Sequence, residues 1–386
     1  MLALNHSLHR RAAAVVGLRS LGTSSSSSIR DSVKDYYGKV LSSNKDLKTN
    51  ACTSSMAPSK EIRQLLKLVP KPITDKFYGC GTPVPSGGIQ GLNVLDLGCG
   101  TGRDCYLASA LVGETGTVTG IDMTEEQIRV AKEHAEEYCR NTLKYKRNNL
   151  RFLQGYIEDI EQAGVKNESQ DLIISNCVIN LSPDKPAVIK GMFNALKWGG
   201  EAYFSDVYCD RRLPESVRKN ELLWGECLSG ALYIEDFIRI CRQVGFPDPR
   251  VLEKAPIQVN DPELADLLGN AKFFSITYRL FKIDGLETLC EDYGQVATYL
   301  GTLPGNKASY ALDDHHLFET NRPMLVCGNT ASMVGESWLR KHFRVQGDRS
   351  VHFGLFPCGP APSSSSSSGT TAASCAPGMG GGGACC

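Results

Sequence analysis

The chain has 386 residues and carries 42 basic residues against 42 acidic ones, so its formal charge is zero. That balance gives no support for a polyanion-binding surface, and no apolar run reaches the roughly 18 residues of a membrane span. Neither nucleic acid nor membrane is an expected partner, and the length allows one large core or two medium ones.

Residues 1–30 hold Arg10, Arg11, Arg19 and Arg30, no acidic residue, and much Ser, Ala and Leu. That is the composition of a mitochondrial or plastid transit peptide, and equally of a leader with no address. The expected location is cytoplasmic, with organellar targeting as the alternative. Residues 24–28 are a serine run. Residues 31–44 and 60–68 have helical spacing, the second stretch ended by Pro70 and Pro72. A Gly- and Pro-rich connector spans residues 79–91.

From Asn93 onward strand and helix signals alternate. Strands are predicted over residues 94–97, 117–121, 150–153, 172–175 and 202–205, and helices over 104–111, 125–140 and 186–196. Gly199-Gly200 is the expected stop of the last helix. A further helix is predicted over 234–244 and a closing strand over 274–283. This repetition predicts an α/β fold, a Rossmann-like parallel sheet with helices on both faces, whose ligands lie at one strand edge. Beyond Asp284 the pattern weakens to a smaller mixed, strand-containing region. From Ser363 the chain is uncharged and low in complexity, reads as disordered, and ends in Cys385-Cys386.

The first predicted strand runs into Asp96-Leu97-Gly98-Cys99-Gly100-Thr101-Gly102. Glycines there let the backbone approach a ligand and turn sharply into a helix. A dehydrogenase loop normally lacks the preceding acid, and a P-loop needs Gly-Lys-Ser/Thr, which is missing here. Asp122, at the end of the second strand, is placed to accept the ribose hydroxyls of an adenosine; on its own it reads equally as a turn or cap residue. The glycine loop one βα unit earlier tips it towards ribose.

These motifs resemble the class I S-adenosylmethionine-dependent methyltransferases. The resemblance implies S-adenosyl-L-methionine as cofactor and no tightly bound metal. It places Asp96, Gly98, Gly100 and Gly102 on the methionine portion, and Asp122 with Met123 on the ribose side. It places Ile157 and Glu158 on the adenine side, and Asn176 near the sulfonium.

Fifteen cysteines are an excess, and many read as small buried hydrophobes in a reduced intracellular enzyme. Cys99, Cys105, Cys139, Cys209 and Cys241 are assigned to packing. Four others stand apart: Cys52 in a polar loop, Cys80 between glycines, Cys177 ending the fourth strand, and Cys227 in Leu223-Trp224-Gly225-Glu226-Cys227. In this fold the fourth strand's end faces the methyl donor, so Cys177 anchors the acceptor site on placement alone. Several thiolates suit a soft, thiophilic centre. Structural zinc is the rival, although zinc sites usually show a close C-x₂₋₄-C pair, which these four lack.

From Val33 to about Ile283 the chain resembles the arsenite methyltransferase family. The carrying motifs include Asp35-Tyr36-Tyr37-Gly38, Tyr78-Gly79-Cys80-Gly81, Gly120-Ile121-Asp122-Met123-Thr124, Ser175-Asn176-Cys177-Val178-Ile179-Asn180-Leu181 and the Cys227 motif. The resemblance implies trivalent arsenic held by thiolates of Cys80, Cys177 and Cys227, its lone pair directed at the sulfonium methyl. It pairs Cys52 with Cys80 in a disulfide that returns arsenic to the trivalent state, with thioredoxin or glutathione restoring the thiols. Repeated cycles give mono-, di- and, at the limit, trimethylated arsenic. The implied organisation is a leader (1–30), a helical segment carrying substrate cysteines (31–90) and a cofactor-binding core (91–210). An arsenite-binding region (211–283), a C-terminal mixed region (284–358) and a low-complexity tail (359–386) complete it. Two alternatives explain fewer features: a methyltransferase for another small acceptor leaves the cysteines idle, and a non-catalytic metalloid trap leaves the adenosine site idle.

Overall fold

The computed structural model describes residues 59–75, 82–85, 87–220, 223–224 and 227–358. The leader, the predicted helix at 31–44, Cys52, Cys80 and the tail lie outside the described residues. Strand and helix alternate from Asn93 as the apolar periodicity requires, and the strands assemble into one eight-stranded sheet.

Its strands are β1 (Asn93–Leu97), β2 (Thr117–Asp122), β3 (Leu150–Gln154), β4 (Gln170–Asn176), β5 (Leu196–Cys209), β6 (Leu232–Tyr233), β7 (Arg250–Ile257) and β8 (Phe273–Lys282). They are ordered β3-β2-β1-β4-β5-β8-β7, with β6 paired to β5. β1 to β6 run parallel, and β8 enters antiparallel between β5 and β7. The sheet is therefore parallel with one reversed strand. Neighbours β1 and β4 lead away in opposite directions, which opens a crevice between their carboxyl ends.

The principal helices are α1 (Lys60–Leu66), α2 (Arg103–Val112), α3 (Glu125–Glu133), α4 (Lys185–Ala195), α5 (Ile234–Val244), α6 (Pro262–Leu268) and α7 (Gly328–Glu336). One face of the sheet packs on α1, α2 and α3 through Ile62, Tyr106, Leu107 and Ile128. The other packs on α4 and α5 through Val188, Met192, Phe237 and Cys241. No described helix is long and apolar enough to cross a membrane.

Four sequence expectations change. α1 ends at Leu66, before either proline; Pro70 is the N-cap of another short helix, Lys71–Thr74, and Pro72 lies in its first turn, where its missing N–H costs nothing. The helix predicted over 125–140 is interrupted at His134, and a π-helical turn, Tyr138–Thr142, follows. The wider turn buries adjacent Tyr138 and Cys139 together, and the Tyr138 hydroxyl donates to the Tyr106 carbonyl at 3.2 Å. Gly199-Gly200 does not stop α4, because the chain turns extended at Leu196 and enters β5 directly. Gly199 instead has φ 81°, and a Cβ there would sit 2.7 Å from the Glu336 carbonyl oxygen. Finally, β7 and α6 were not anticipated, since Glu253, Lys254 and Pro256 disguise β7 as a loop and are marks of an edge strand.

Beyond β8, strands β9 (Glu291–Asp292), β10 (Gln295–Tyr299), β11 (Ser309–Ala311), β12 (Leu317–Glu319), β13 (Pro323–Val326), β14 (Phe343–Gln346) and β15 (Gly354–Leu355) form small antiparallel sheets around α7. They surround their own cluster, which includes Tyr299, Phe318, Met333 and Phe343. A buried fork ties this region to the main sheet. Arg279 on β8 donates to both oxygens of Glu201 on β5 at 2.6 and 2.9 Å, and also to the Leu312 carbonyl at 2.8 Å. Trp338 Nε1 donates to the same Glu201 at 2.8 Å.

Candidate active site

The glycine loop sits where β1 meets α2. Gly98, Gly100 and Gly102 have φ of 70°, 54° and 91°, values open to glycine and costly for other residues. At Gly98 a Cβ would lie 2.3 Å from Val178 Cγ1, so the loop can form only if this residue has no side chain. Val178 follows Cys177, and the loop is thus packed directly on the end of β4. Ser175 Oγ fastens the same two strands by donating to the Leu97 carbonyl at 3.0 Å.

Gly100 leaves an opening. A Cβ there would meet only Gln127 Oε1, at 3.9 Å, and that oxygen is buried with no hydrogen-bond donor among the described residues. Asp122 closes the loop's other side, its Oδ2 accepting from Gly100 N–H at 2.9 Å and its Oδ1 from Thr124 N–H at 2.8 Å. Burial raises its pKa, and these two N–H groups oppose the rise. A bare backbone and an unsatisfied acceptor beside a strand-end carboxylate fit an adenosine-bearing cofactor, because a carboxylate retains lone pairs for hydroxyl donors.

The remaining expected cofactor residues lie along the same strand edge. Asp96 is buried, accepts from the Cys105 thiol at 3.2 Å, and has a pKa driven well up by burial and by Asp104. Met123 is half-buried after β2, and Ile157 is buried after β3. Glu158 accepts from Ser182 Oγ at 2.8 Å. Asn176 ends β4 and donates to Asp104 Oδ2 at 3.0 Å.

The two described acceptor cysteines come together. Cys177 and Cys227 belong to one buried apolar cluster with Val207, Leu223 and Leu228. The Cys227 thiol donates to the Cys177 carbonyl at 3.6 Å, and Cys177 is disulfide-bonded. Both have left-handed backbone, φ 55° and 62°, among only five such non-glycine residues in the described chain. A bulky residue held at positive φ costs about 1–3 kcal/mol, and such strain gathers at functional sites. Asp206 on β5 braces the intervening turn, accepting from the backbone N–H of Asn180 at 3.0 Å and of Val207 at 2.8 Å. Asn180 in turn packs so closely that a Cβ at Gly230 would lie 2.0 Å from its carbonyl oxygen.

Lys185 is a site residue that sequence reasoning missed. It begins α4, is buried, and its Nζ donates to the Ser182 carbonyl at 2.9 Å. It lies 5.4 Å from the centre of the Trp224 ring. Burial lowers its pKa to about 8, with Asp206, Glu158 and Cys227 opposing the fall. Asp206 is raised by burial to about 6, with Lys185 among the groups opposing that rise. A lysine in a helix's first turn is electrostatically misplaced, and that was the legible signal. Trp224 Nε1 is buried without an acceptor among the described residues.

The packing assignments agree with the structure: Cys105, Cys139, Cys209 and Cys241 are buried free thiols, and Cys99 is a half-buried one. Cys290, Cys327 and Cys358 drew no notice in the sequence, yet their sulfurs converge.

Comparison with known proteins adds an independent line. A methyltransferase-domain family matches residues 90–245. An arsenite methyltransferase of Aquipseudomonas alcaligenes is 48% identical over 332 residues, spanning 86% of this chain and 95% of that protein. The arsenite methyltransferase of Homo sapiens is 39% identical over 321 residues, spanning 82% and 84%. The crystal structure of an arsenic(III) S-adenosylmethionine methyltransferase from Chlamydomonas reinhardtii is 58% identical with a TM-score of 0.76. It covers 78% of this chain, and the match spans 100% of that one.

Proposed function

The chain belongs to the arsenite methyltransferase family, and from that premise we propose that it transfers methyl groups from S-adenosylmethionine to thiol-bound trivalent arsenic. The observation that carries this reading is the packing of Val178 into Gly98, which sets Cys177 against the cofactor loop.

The cofactor supplies an electrophilic sulfonium methyl. When it is bound, Gly98, Gly100 and Gly102 with Asp96 would hold its methionine portion, Asp122 and Met123 its ribose, Ile157 and Glu158 its adenine, and Asn176 would lie near the sulfonium. Arsenite exchanges its hydroxyls for the thiolates of Cys80, Cys177 and Cys227, which fixes the pyramid and the direction of its lone pair. Arsenic has no proton to lose, so no general base is required and catalysis is mostly positioning. The buried apolar cluster around Cys177 and Cys227 excludes water. Lys185 and Cys227 interact electrostatically, and a cation acting on a thiol favours its thiolate.

Methylation raises arsenic to the pentavalent state, and two electrons from a thiol pair return it to the trivalent state. Cys52 with Cys80 is that pair, and thioredoxin or glutathione reduces the resulting disulfide. Cys177 is itself disulfide-bonded in the structure, so the same reductant must free its thiol before it can hold arsenic. Mono-, di- and trimethylated products follow from repeated cycles. The site is expected to work in the cytoplasm or, if residues 1–30 act as a transit peptide, in an organelle.

The test is arsenic speciation over time with reduced protein, arsenite, S-adenosylmethionine and thioredoxin. Cys177→Ser and Cys227→Ser should each lower methylation by about 100-fold or more while cofactor binding by calorimetry is retained. Full methylation by both variants would sink the acceptor assignment.

A further inference from the structure

Three cysteines far apart in the chain meet in the C-terminal region. The sulfurs of Cys290, Cys327 and Cys358 all lie within 4.8 Å of one another, and all three are free thiols. The fold brings them together by identifiable means. Cys290 immediately precedes β9, which pairs antiparallel with β15 so that Glu291 faces Leu355. The Phe356 N–H donates to the Cys290 carbonyl at 2.8 Å, extending that pairing, and Cys358 follows two residues later. Cys327 is the N-cap of α7, its sulfur accepting from Thr330 N–H at 3.4 Å.

The surroundings favour thiolate at Cys327, whereas the contact with Cys327 and burial push the Cys290 thiol up, and burial pushes Cys358 up. Arg250 Nη2 donates to Cys327 Sγ at 3.7 Å, and Cys327 also stands at a helix N-terminus. Arg250 is already balanced by Asp248 at 2.7 Å and Asp313 at 2.8 Å. Arg250 and its two carboxylates sum to about −1, a charge that His316, 2.8 Å from Asp313 Oδ1, partly offsets. Three thiolates around a trivalent metalloid add no charge to this setting. Three thiolates around a divalent ion add another negative charge in a place that is partly buried.

Coordination number points the same way. Structural zinc is almost always held by four ligands, whereas trivalent arsenic or antimony is saturated by three and keeps its fourth corner as a lone pair. Among the described residues the group contains three ligand side chains and no fourth.

We propose that Cys290, Cys327 and Cys358 form a second site for a soft trivalent metalloid, separate from the methyl-transfer site. Arg250 starts β7 and pairs with Arg279 on β8, near the end of the sheet where Gly200 faces Lys282. Cys177 and the glycine loop lie beyond the opposite, carboxyl ends of the strands. One arsenic atom cannot be shared between the two places. The exchange is balanced without a redox partner. Three arsenic–oxygen bonds of arsenous acid break and three arsenic–sulfur bonds form, and each thiol proton leaves with a hydroxide as water. The site therefore stores or presents arsenic in the same oxidation state in which it arrives, and it does not depend on the methyl-transfer reading.

The test uses the reduced full-length chain and counts bound arsenic by elemental analysis after desalting. A background variant carries serine at Cys52, Cys80, Cys99, Cys177, Cys227, Cys375, Cys385 and Cys386, which removes the methyl-transfer thiols, breaks the Cys99–Cys105 pair and clears the tail. It should retain one arsenic per chain, and adding Cys358→Ser or Cys290→Ser should remove it. The unsubstituted chain gives a second readout should that background fold poorly. Arsenite should protect Cys290, Cys327 and Cys358 together from alkylation, mapped by peptide mass spectrometry. A background that binds no arsenic while folded, binding that survives Cys358→Ser, or no protection in the unsubstituted chain would overturn the proposal. So would zinc held at one per chain by these cysteines and not displaced by arsenite. Failure here would leave Cys177→Ser and Cys227→Ser still deciding the methyl-transfer site.

Discussion

Gly98 and Lys185 show how single residues set the site. At Gly98 two demands coincide, a φ of 70° and a Cβ position already filled by Val178. Gly98→Ala should therefore push Val178 and its neighbour Cys177 out of place. A strain of about 1.4 kcal/mol corresponds to tenfold, so cofactor affinity by calorimetry should fall at least about tenfold. Unchanged affinity would remove the packing argument. Lys185 gives a pH prediction. It loses its charge as pH rises through about 8, and Asp206 gains its charge as pH rises through about 6. Both are charged only between those values, which is where a cation acts on Cys227 and the turn after Cys177 has an ionised brace. Methylation efficiency should fall off on both sides of that window. Lys185→Met should raise the KM for arsenite about tenfold, leave cofactor affinity unchanged, and abolish the alkaline limb near pH 8. An alkaline limb that persists in the variant would assign it to another group.

At the scale of elements, β5 and β8 join the two halves of the molecule, and the join rests on a buried ion pair. Glu201 is 0% exposed and Arg279 is 1% exposed. Removing one partner leaves a charge without its counter-ion in a dry place, at a cost of about 3–5 kcal/mol. Arg279→Met should lower the unfolding free energy from denaturant titration by that amount, whereas Arg279→Met combined with Glu201→Met should recover much of the loss. A single variant as stable as the parent would show that solvent reaches the pair. This join was not legible in the sequence. The strands of the cofactor half were, because parallel strands buried on both faces read as apolar runs, and the glycines after β1 mark the turn. β7 was hidden by its charged and proline residues, and the π-helical turn at Tyr138 by a helical periodicity that continues through it. The site divides in the same way. Cys177 could be placed from its position after β4, and Cys227 from the resemblance. Lys185 left one local mark, a cation in a helix's first turn, whereas the thiol group at Cys290, Cys327 and Cys358 depends on long-range packing that no local pattern records.

Across the whole molecule the buried carboxylates fall into two classes, and acid should separate them. Burial raises Asp96, Asp122 and Asp206 in the methyltransferase half above the ordinary carboxylate value. A raised group binds its proton more readily folded than unfolded. Its contribution to stability is therefore present at low pH and declines as pH rises through the window between the two values, from about 4 to about 6 for Asp206. Asp313 in the C-terminal region is the reverse case. Burial would raise it, but the hydrogen bond from His316 and the charges of Arg250 and His316 prevail and hold it well below the usual range. Its contribution is complete above the unfolded value near 4 and is lost as pH falls towards its depressed folded value. Acidification from pH 5 to pH 3 thus spares the cofactor half and weakens the region held by Asp313, Arg250 and His316. Hydrogen exchange at pH 3 should show β10, β13 and β14 opening before the strands β1 and β4. Asp313→Asn should give much of that weakening already at pH 6, because an amide cannot answer Arg250 with charge. Earlier opening of the glycine loop at pH 3 would reverse the assignment, and would mean that Asp96, Asp122 and Asp206 are not held protonated by burial.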